Sequence, residues 1–483
     1  MEPEHHRFGG GAAETAIHPL VVVYLLIAIV LILFLPRRKA IVPFLIAYFT
    51  ITIGQVVVLG SLHFTALRIL ILAGLARMTI SRWTSSEAKF TGGFNGVDQA
   101  VALWSVATLI TFCLQWMEMQ ALINHLGDLV DTLGGYLLVR FLIPDGETIR
   151  RTIKTLAAIC VVQGICMMNE QITHLNIFGL FGGFTTGVTT RDGHIRSAGV
   201  MGCLYAGVFA GVLIPLFLWL WTEGKHRMIA CAGLVGATVM VITSYSSTSF
   251  LAFGGSLVGL AFWPLRKGMR LVRWGLVIML VGLHMVMKAP VWALIARIDL
   301  TGSSSGDQRF QLLDNCIRHF SYWWLIGSKY YNDWGWGMWD LCNQFVAVAV
   351  TGGLLTLIFY IGIFKRSFRA IGTTRKSVDG DRGQEWFLWC MGSSLFATIL
   401  ASFGINYVNQ LLMGLFPLLA CISVATFEAR EMAAQRVETT GQKQFASDPG
   451  AVRSYLPLGA AKLETRAGFS TERRERSVPW LKA

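Results

Sequence analysis

Arg309 stands in the stretch RFQLLDNCIRHF, where Phe310, Leu313, Ile317 and Phe320 recur at helical spacing. The GSSSGD run ahead of it predicts a helix start, with Asp307 near the first turn. A cation in a first turn opposes the helix dipole unless it has an anionic partner. Two partners fit Arg309. Asp307 is one. A phosphate at the helix N-terminus is the other, because it takes both the free amides and the guanidinium fork. Arg196 poses the same question in RDGHIRSAGVMG, just before an apolar run. It is either an interfacial anchor or part of an anion site.

Arg68 lies inside an apolar run, where a charge needs a partner or a cavity. Asp128 and Asp131, inside another run, are candidate partners, and a substrate anion is the other reading. Arg191 and Asp192 either pair in a turn or contribute to binding, and Arg318 is a further cation of the Arg309 stretch. In SYSSTSF, residues 244–250, the hydroxyls either cap the following helix or line a polar cleft. Asp98, Glu118 and Glu170 fall at span ends, where exposed carboxylates are common. His174, His194 and His319 are scattered, with no metal-ligand spacing among them. GxSxG, P-loop and GxGxxG patterns are absent from the sequence.

The elements that must position these residues are membrane helices. Of the 483 residues, 54% are hydrophobic and 14% charged, against about 25% charged in soluble domains. The net charge of +13 is spread through short loops beside apolar runs, which argues for membrane orientation and against nucleic acid. Candidate spans are 19–35, 41–59, 63–80, 98–116, 119–143, 151–168, 199–221, 227–243, 249–264, 272–288, 344–364, 386–402 and 406–426. The expectation is therefore an all-α polytopic membrane protein of about 12–13 helices. The first run has its cations after it and reads as an uncleaved anchor with residues 1–18 outside. Alternation from there collects nearly every Lys/Arg cluster on the cytoplasmic side. Two long loops, 169–198 and 289–343, fall on the other side, and the polar tail 427–483 reads as cytoplasmic and disordered. Apart from Cys316 and Cys342, the nine cysteines lie in apolar runs and read as packing. Those two share one long loop, so a disulfide between them is open if the loop is extracytoplasmic.

Four stretches in this order resemble the O-antigen ligase and O-antigen polymerase superfamily of bacterial envelope glycosyltransferases. They are RSAGVMGCLYAGVFAG (196–211), SYSSTSFLAFGG (244–255), GDQRFQLLDNCIRHFSYWWLIGSKY (306–330) and DLCNQFVAVAVTGGLLTLIFYIGIF (340–364). The resemblance implies a GT-C-like membrane fold in the bacterial inner membrane, with its active face in the periplasm. It implies a donor glycan on undecaprenyl diphosphate and a glycan, lipid or protein acceptor, with no metal or cofactor. Other polysaccharide-assembly proteins are implied partners. Arg196 and Arg309 match the arginines that hold the donor diphosphate, and Asn343 closes the large loop. Ligases of the family commonly carry a histidine just before that asparagine, where this chain has Cys342. Asp340, two residues earlier, is then the candidate base. Arg68, Arg191, Arg318 and Asn343 complete the expected substrate-binding set. The rival expectation is a lipid-linked glycan flippase or other transporter. Such proteins place charge and broken helices near the midplane, often in internal repeats. No clear repeat is visible in this sequence.

Overall fold

In a computed structural model the described residues are 15–60, 62–84, 89–183, 189–191, 193–288, 290–294 and 305–447. The chain divides into two units, 1–431 and 432–483. The first is a helical bundle. Its helices are α1 (Pro19–Phe34), α2 (Arg37–Thr50), α3 (Ala66–Thr84), α4 (Gly96–Trp116), α5 (Met119–Leu129), α6 (Gly135–Leu142) and α7 (Gly146–Thr173). There follow α8 (Cys203–Glu223), α9 (Arg227–Thr243), α10 (Ser247–Ala261), α11 (Met269–Val286), α12 (Ser305–Arg318), α13 (Gln344–Ser377), α14 (Arg382–Ser402) and α15 (Asn409–Ser447). Two antiparallel hairpins interrupt them: β1 (Val56–Leu59) with β2 (Leu62–Thr65), and β3 (Thr189–Arg191) with β4 (His194–Arg196). Every apolar run picked from the sequence overlaps a helix, although 41–59 turns into β1 after Thr50.

Among the described residues, six helices are long and apolar enough to cross a membrane. They begin at Gly96, Gly146, Cys203, Trp263, Gln344 and Asn409. The protein is thus an all-α multi-pass membrane protein. Its centre is α8, whose face from Ala206 to Leu220 is almost continuously buried. Helices in lipid gain little from the hydrophobic effect, so close backbone approach through small residues holds them. At Gly236 of α9 a Cβ would sit 2.7 Å from the Cys160 carbonyl of α7.

Basic residues gather at one end of the bundle, where Arg150 pairs with Glu223 at 2.5 Å and Arg266 with Glu385 at 3.0 Å. The N-termini of α8, α10, α13 and α15 lie at the other end. Arg77 is satisfied within the bundle by the Ile32 and Leu35 carbonyls that end α1. Asp98 and Glu170 depart from the expectation of exposed span-end carboxylates. Asp98 is fully buried with Tyr136 and Arg140. Glu170 accepts the amides of Ala198 and Gly199 at 2.9 and 3.0 Å. The tail departs too, because α15 runs on to Ser447. Its Ala-, Glu-, Gln- and Arg-rich sequence has high helix propensity, and residues beyond 447 lie outside the described set.

Helix α13 is broken at Gly353, whose φ of 78° and ψ of 177° are non-helical. The break lies nine residues from the helix start, ~14 Å along the axis, or about half of a bilayer core. Exposed backbone groups at that depth are untenable unless protein satisfies them. The strand of chain from Trp324 to Ser328 does so. Ser328 N donates to the Val350 carbonyl and Leu354 N to the Trp324 carbonyl, both at 2.8 Å. Gln115 donates to the Ile326 and Thr351 carbonyls. Part of the 289–343 loop therefore enters the bundle. Gly353→Ala should lower the thermal unfolding midpoint in detergent. Positive φ costs on the order of 1–3 kcal/mol, and the Cβ would meet the Leu325 carbonyl at 2.6 Å. Gly372→Ala, with open space around it, should leave the midpoint unchanged or raise it.

Candidate functional site

The site is organised by the turn between α9 and α10, residues 244–248. Tyr245 takes a left-handed conformation with φ of 41°, which reverses the chain in few residues. Ser244 and Ser249 both press against Gly207 of α8, which has no Cβ to exclude them. Ser246 stands at the N-cap position without making a side-chain cap bond. Ser244 Oγ instead donates to the Val241 carbonyl at 2.8 Å. Thr248, fully buried, accepts from Arg309 Nη2 at 2.8 Å and donates to the Gly404 carbonyl at 3.1 Å.

Arg309 reaches that turn from α12. The helix starts at Ser305, as the glycine-serine run predicts. Its buried face is different from the predicted one. Arg309, Leu312 and Cys316 are buried, while Ile317 and Phe320 are exposed. The aromatic residues that follow α12 explain this. Trp323 packs with Cys316 against Val346 and Val350, and its indole donates to the Cys316 carbonyl at 2.7 Å. Arg309 thereby shares the inward stripe and is only 7% exposed, whereas Asp307 is exposed.

Arg196 reaches the same turn from β4. Its Nε donates to the Ser244 carbonyl at 3.4 Å, and Nη2 is buried without an acceptor among the described residues. The β3–β4 hairpin is docked by His194 stacking on Tyr245 at 4.2 Å and by Ser197 N donating to the Thr243 carbonyl. Gln171 of α7 donates to the Ile195 and Thr243 carbonyls, binding hairpin and turn together. The contact points of the two arginines are four residues apart, at most ~14 Å even for extended chain.

Asn343 and the loop before it close the site. Asn343 is fully buried and caps α13, accepting from the amides of Phe345 and Val346 at 3.0 and 3.2 Å. Its Nδ2 is buried without an acceptor among the described residues. Asp340 is exposed and its charge acts on both Cys342 and Tyr205. Burial first, then Asp340, push the Cys342 thiol up to about 11, against the opposing pull of Arg309. Cys342 and Cys316 are free thiols, not a disulfide, and Cys316 is occupied in packing under Trp323. Trp336 and Trp339 are exposed as a membrane belt requires. Trp334 stacks on His319 at 5.0 Å.

Compared with known proteins, the chain matches no family model, and no curated sequence matches it. The geometry alone sorts the expected residues.

Arg196 and Arg309 meet the 244–248 turn, where Thr248 bonds to the Gly404 carbonyl, and Cys342, between Asp340 and Asn343, feels the charge of Arg309. Arg318 does not join them. It lies nine residues past Arg309, half a helical turn away, and pairs with Asp314 at 2.6 Å on the surface. Arg68 is elsewhere, in an ion cluster with Asp131 at 2.6 Å and Asp128 at 3.5 Å. Arg191 is half-buried at the end of β3, opposite His194. Its supposed partner Asp192 lies outside the described residues. Gly404 and the Tyr205–Asn406 bond at 3.3 Å escaped sequence reasoning, and Thr248 was noted only among the hydroxyls of 244–250. Thr248 carried a signal, as the one threonine in SYSSTSF. The other residues carried none.

Two outcomes follow. Cys342 should be about one part in a thousand ionised at pH 8, so its alkylation should be slow and should accelerate up to about pH 11. Arg309→Ala should shift that profile to higher pH and Asp340→Asn to lower pH, read by peptide-resolved mass spectrometry. Thr248→Val should destabilise by about 1–3 kcal/mol, since it strips a hydrogen bond from a buried cation. Thr248→Ser should retain most of that stability in a thermal melt.

Proposed function

We propose that this protein is a membrane glycosyltransferase of the O-antigen polymerase/ligase type. It would act on a glycan carried by undecaprenyl diphosphate and transfer or polymerise it onto a glycan, lipid or protein acceptor. The observation that carries the reading is the convergence of Arg196 and Arg309 on one turn, with Arg196 Nη2 buried and lacking an acceptor among the described residues. A buried guanidinium donor such as Arg196 Nη2 needs an anion that brings its own acceptors. A diphosphate leaving group supplies them, and fixed positive charge there stabilises the charge that develops as it departs. In this reaction the acceptor hydroxyl attacks the anomeric carbon. The new C–O bond forms as the bond to the diphosphate oxygen breaks, and the hydroxyl proton goes to a base. Asp340 has that role in our reading. Cys342 does not, because its thiol stays protonated at neutral pH.

The orientation follows from the same asymmetry. The basic end of the bundle is the cytoplasmic one by the lysine and arginine rule, which puts the arginine site on the periplasmic face of the bacterial inner membrane. The N-terminus is then periplasmic and the C-terminus cytoplasmic. The shorter apolar helices, such as α1, α9 and α10, count as further spans in a GT-C-like arrangement of 12–13 helices. A broken helix is also a carrier's device, so a lipid-linked glycan flippase is the second reading. Against it, the groups freed at Gly353 are bonded to protein rather than offered to a cargo.

Arg196→Ala and Arg309→Ala should abolish surface-glycan assembly at unchanged protein level, and Arg309→Lys should lose most of it because lysine lacks the bidentate fork. Arg318→Ala should leave glycan ladders normal. Normal ladders in both alanine variants of the site would sink this reading. Purified protein given lipid-linked glycan in vesicles should make new glycosidic bonds; movement across the bilayer without new bonds would establish the carrier instead.

A further inference from the structure

A second polar feature lies inside the bundle. A cavity of about 420 Å³ opens between α3, α4, α5, α13 and the segment leading into α15. That volume is within the ~300–1,000 Å³ of small-molecule sites. Arg68 is on its wall, but this arginine is already committed. Its Nε lies 3.1 Å from both carboxylate oxygens of Asp131, its Nη2 2.6 Å from Asp131 and 3.5 Å from Asp128. His125 Nδ1 sits 3.2 Å from the other Asp128 oxygen. One arginine thus faces two aspartates. Such a wall repels a second anion, so the cavity is unsuited to phosphate.

The rest of the lining offers neutral hydrogen-bonding groups and an aromatic face. Gln55, Thr108, Gln344, Thr351 and Asn406 line it beside Trp104 and Tyr407. Trp104 is 6% exposed, and its indole N–H has no acceptor among the described residues. A buried donor in a cavity wall without a partner calls for an acceptor supplied by an occupant. Asp128 and Asp131 supply the complementary need, since carboxylates accept from hydroxyl donors. A π-turn at Val130–Gly134, a feature frequent at functional sites, contains Asp131 and follows Asp128.

We infer that this cavity is a sugar subsite, holding an uncharged, hydroxyl-rich ring of the glycan while the arginine site holds the diphosphate. The inference rests on the glycosyltransferase reading above. The two places are joined by one hydrogen bond. Asn406 lines the cavity and accepts from Tyr205, whose hydroxyl feels the charge of Asp340. Sugar and leaving group thus lie on either side of the Tyr205–Asn406 pair.

The test is photo-cross-linking in living cells with the full-length chain. A photo-reactive amino acid replaces Thr108 on the cavity wall, and a control replaces Leu26, exposed on α1. The expected product at position 108 is an adduct that stains for periodate-sensitive sugar, with none at position 26. Trp104→Phe, which keeps the ring and removes the N–H, should lower its yield roughly three- to tenfold at equal protein level. An adduct labelled by phosphate without sugar, no sugar adduct at all, or a yield untouched by Trp104→Phe would each overturn the inference. Failure here with glycan assembly still lost in Arg309→Ala would leave the transferase reading standing. Sugar capture here with normal assembly in Arg309→Ala would do the reverse.

Discussion

Backbone amides and carbonyls deep in a membrane protein must find partners within the protein, and the break at Gly353 is where this constraint governs the fold. The chain from Trp324 to Ser328 fills the break with its own backbone. That requirement draws the end of the large loop into the bundle. It also fixes Trp323, which covers Cys316 and turns the inward face of α12. Arg309 is carried on that face. The placement of a cation at one end of the molecule thus depends on hydrogen bonds made near the middle of another helix.

A second constraint is charge burial. Arg309 rests on Thr248, and Arg68 rests on Asp131 and Asp128. Arg140 and Asp98 lie 3.4 Å apart and are both fully buried. Ionised groups survive at such depth only when held this closely. Their partners differ in kind, and that difference separates the sites. Arg309 rests on a neutral hydroxyl. Two carboxylates cancel the charge of Arg68 and leave a polar but anion-averse wall.

Much of the helical framework was legible in the sequence because apolar length and flanking cations report it directly. The start of α12 was legible from GSSSGD, and Asn343 was marked by its place before an apolar run. The face of α12 was misread, since periodicity counts apolar residues and put Ile317 and Phe320 on the inward stripe. Tertiary packing by Trp323, seven residues beyond Cys316, decided otherwise. Asp98 and Glu170 were misread for a related reason. A carboxylate at a span end looks solvated until the loop that covers it is known. Arg140 drew no notice inside its run, yet it is among the largest fully buried side chains. Residues 427–447 were misread because lack of apolar period is not lack of helix.

The grip of Glu170 on the amides of Ala198 and Gly199 has a consequence for how such a protein can diversify. With Gln171 and Ser197 it anchors the descending side of the β3–β4 hairpin to α7 and to the α9 turn. Arg196 is therefore positioned by helices rather than by the loop in which it resides. Thr189 and Thr190, exposed on β3, can change without displacing the guanidinium. Evolution can then remodel what the loop presents to the aqueous side while the charge beneath stays in register.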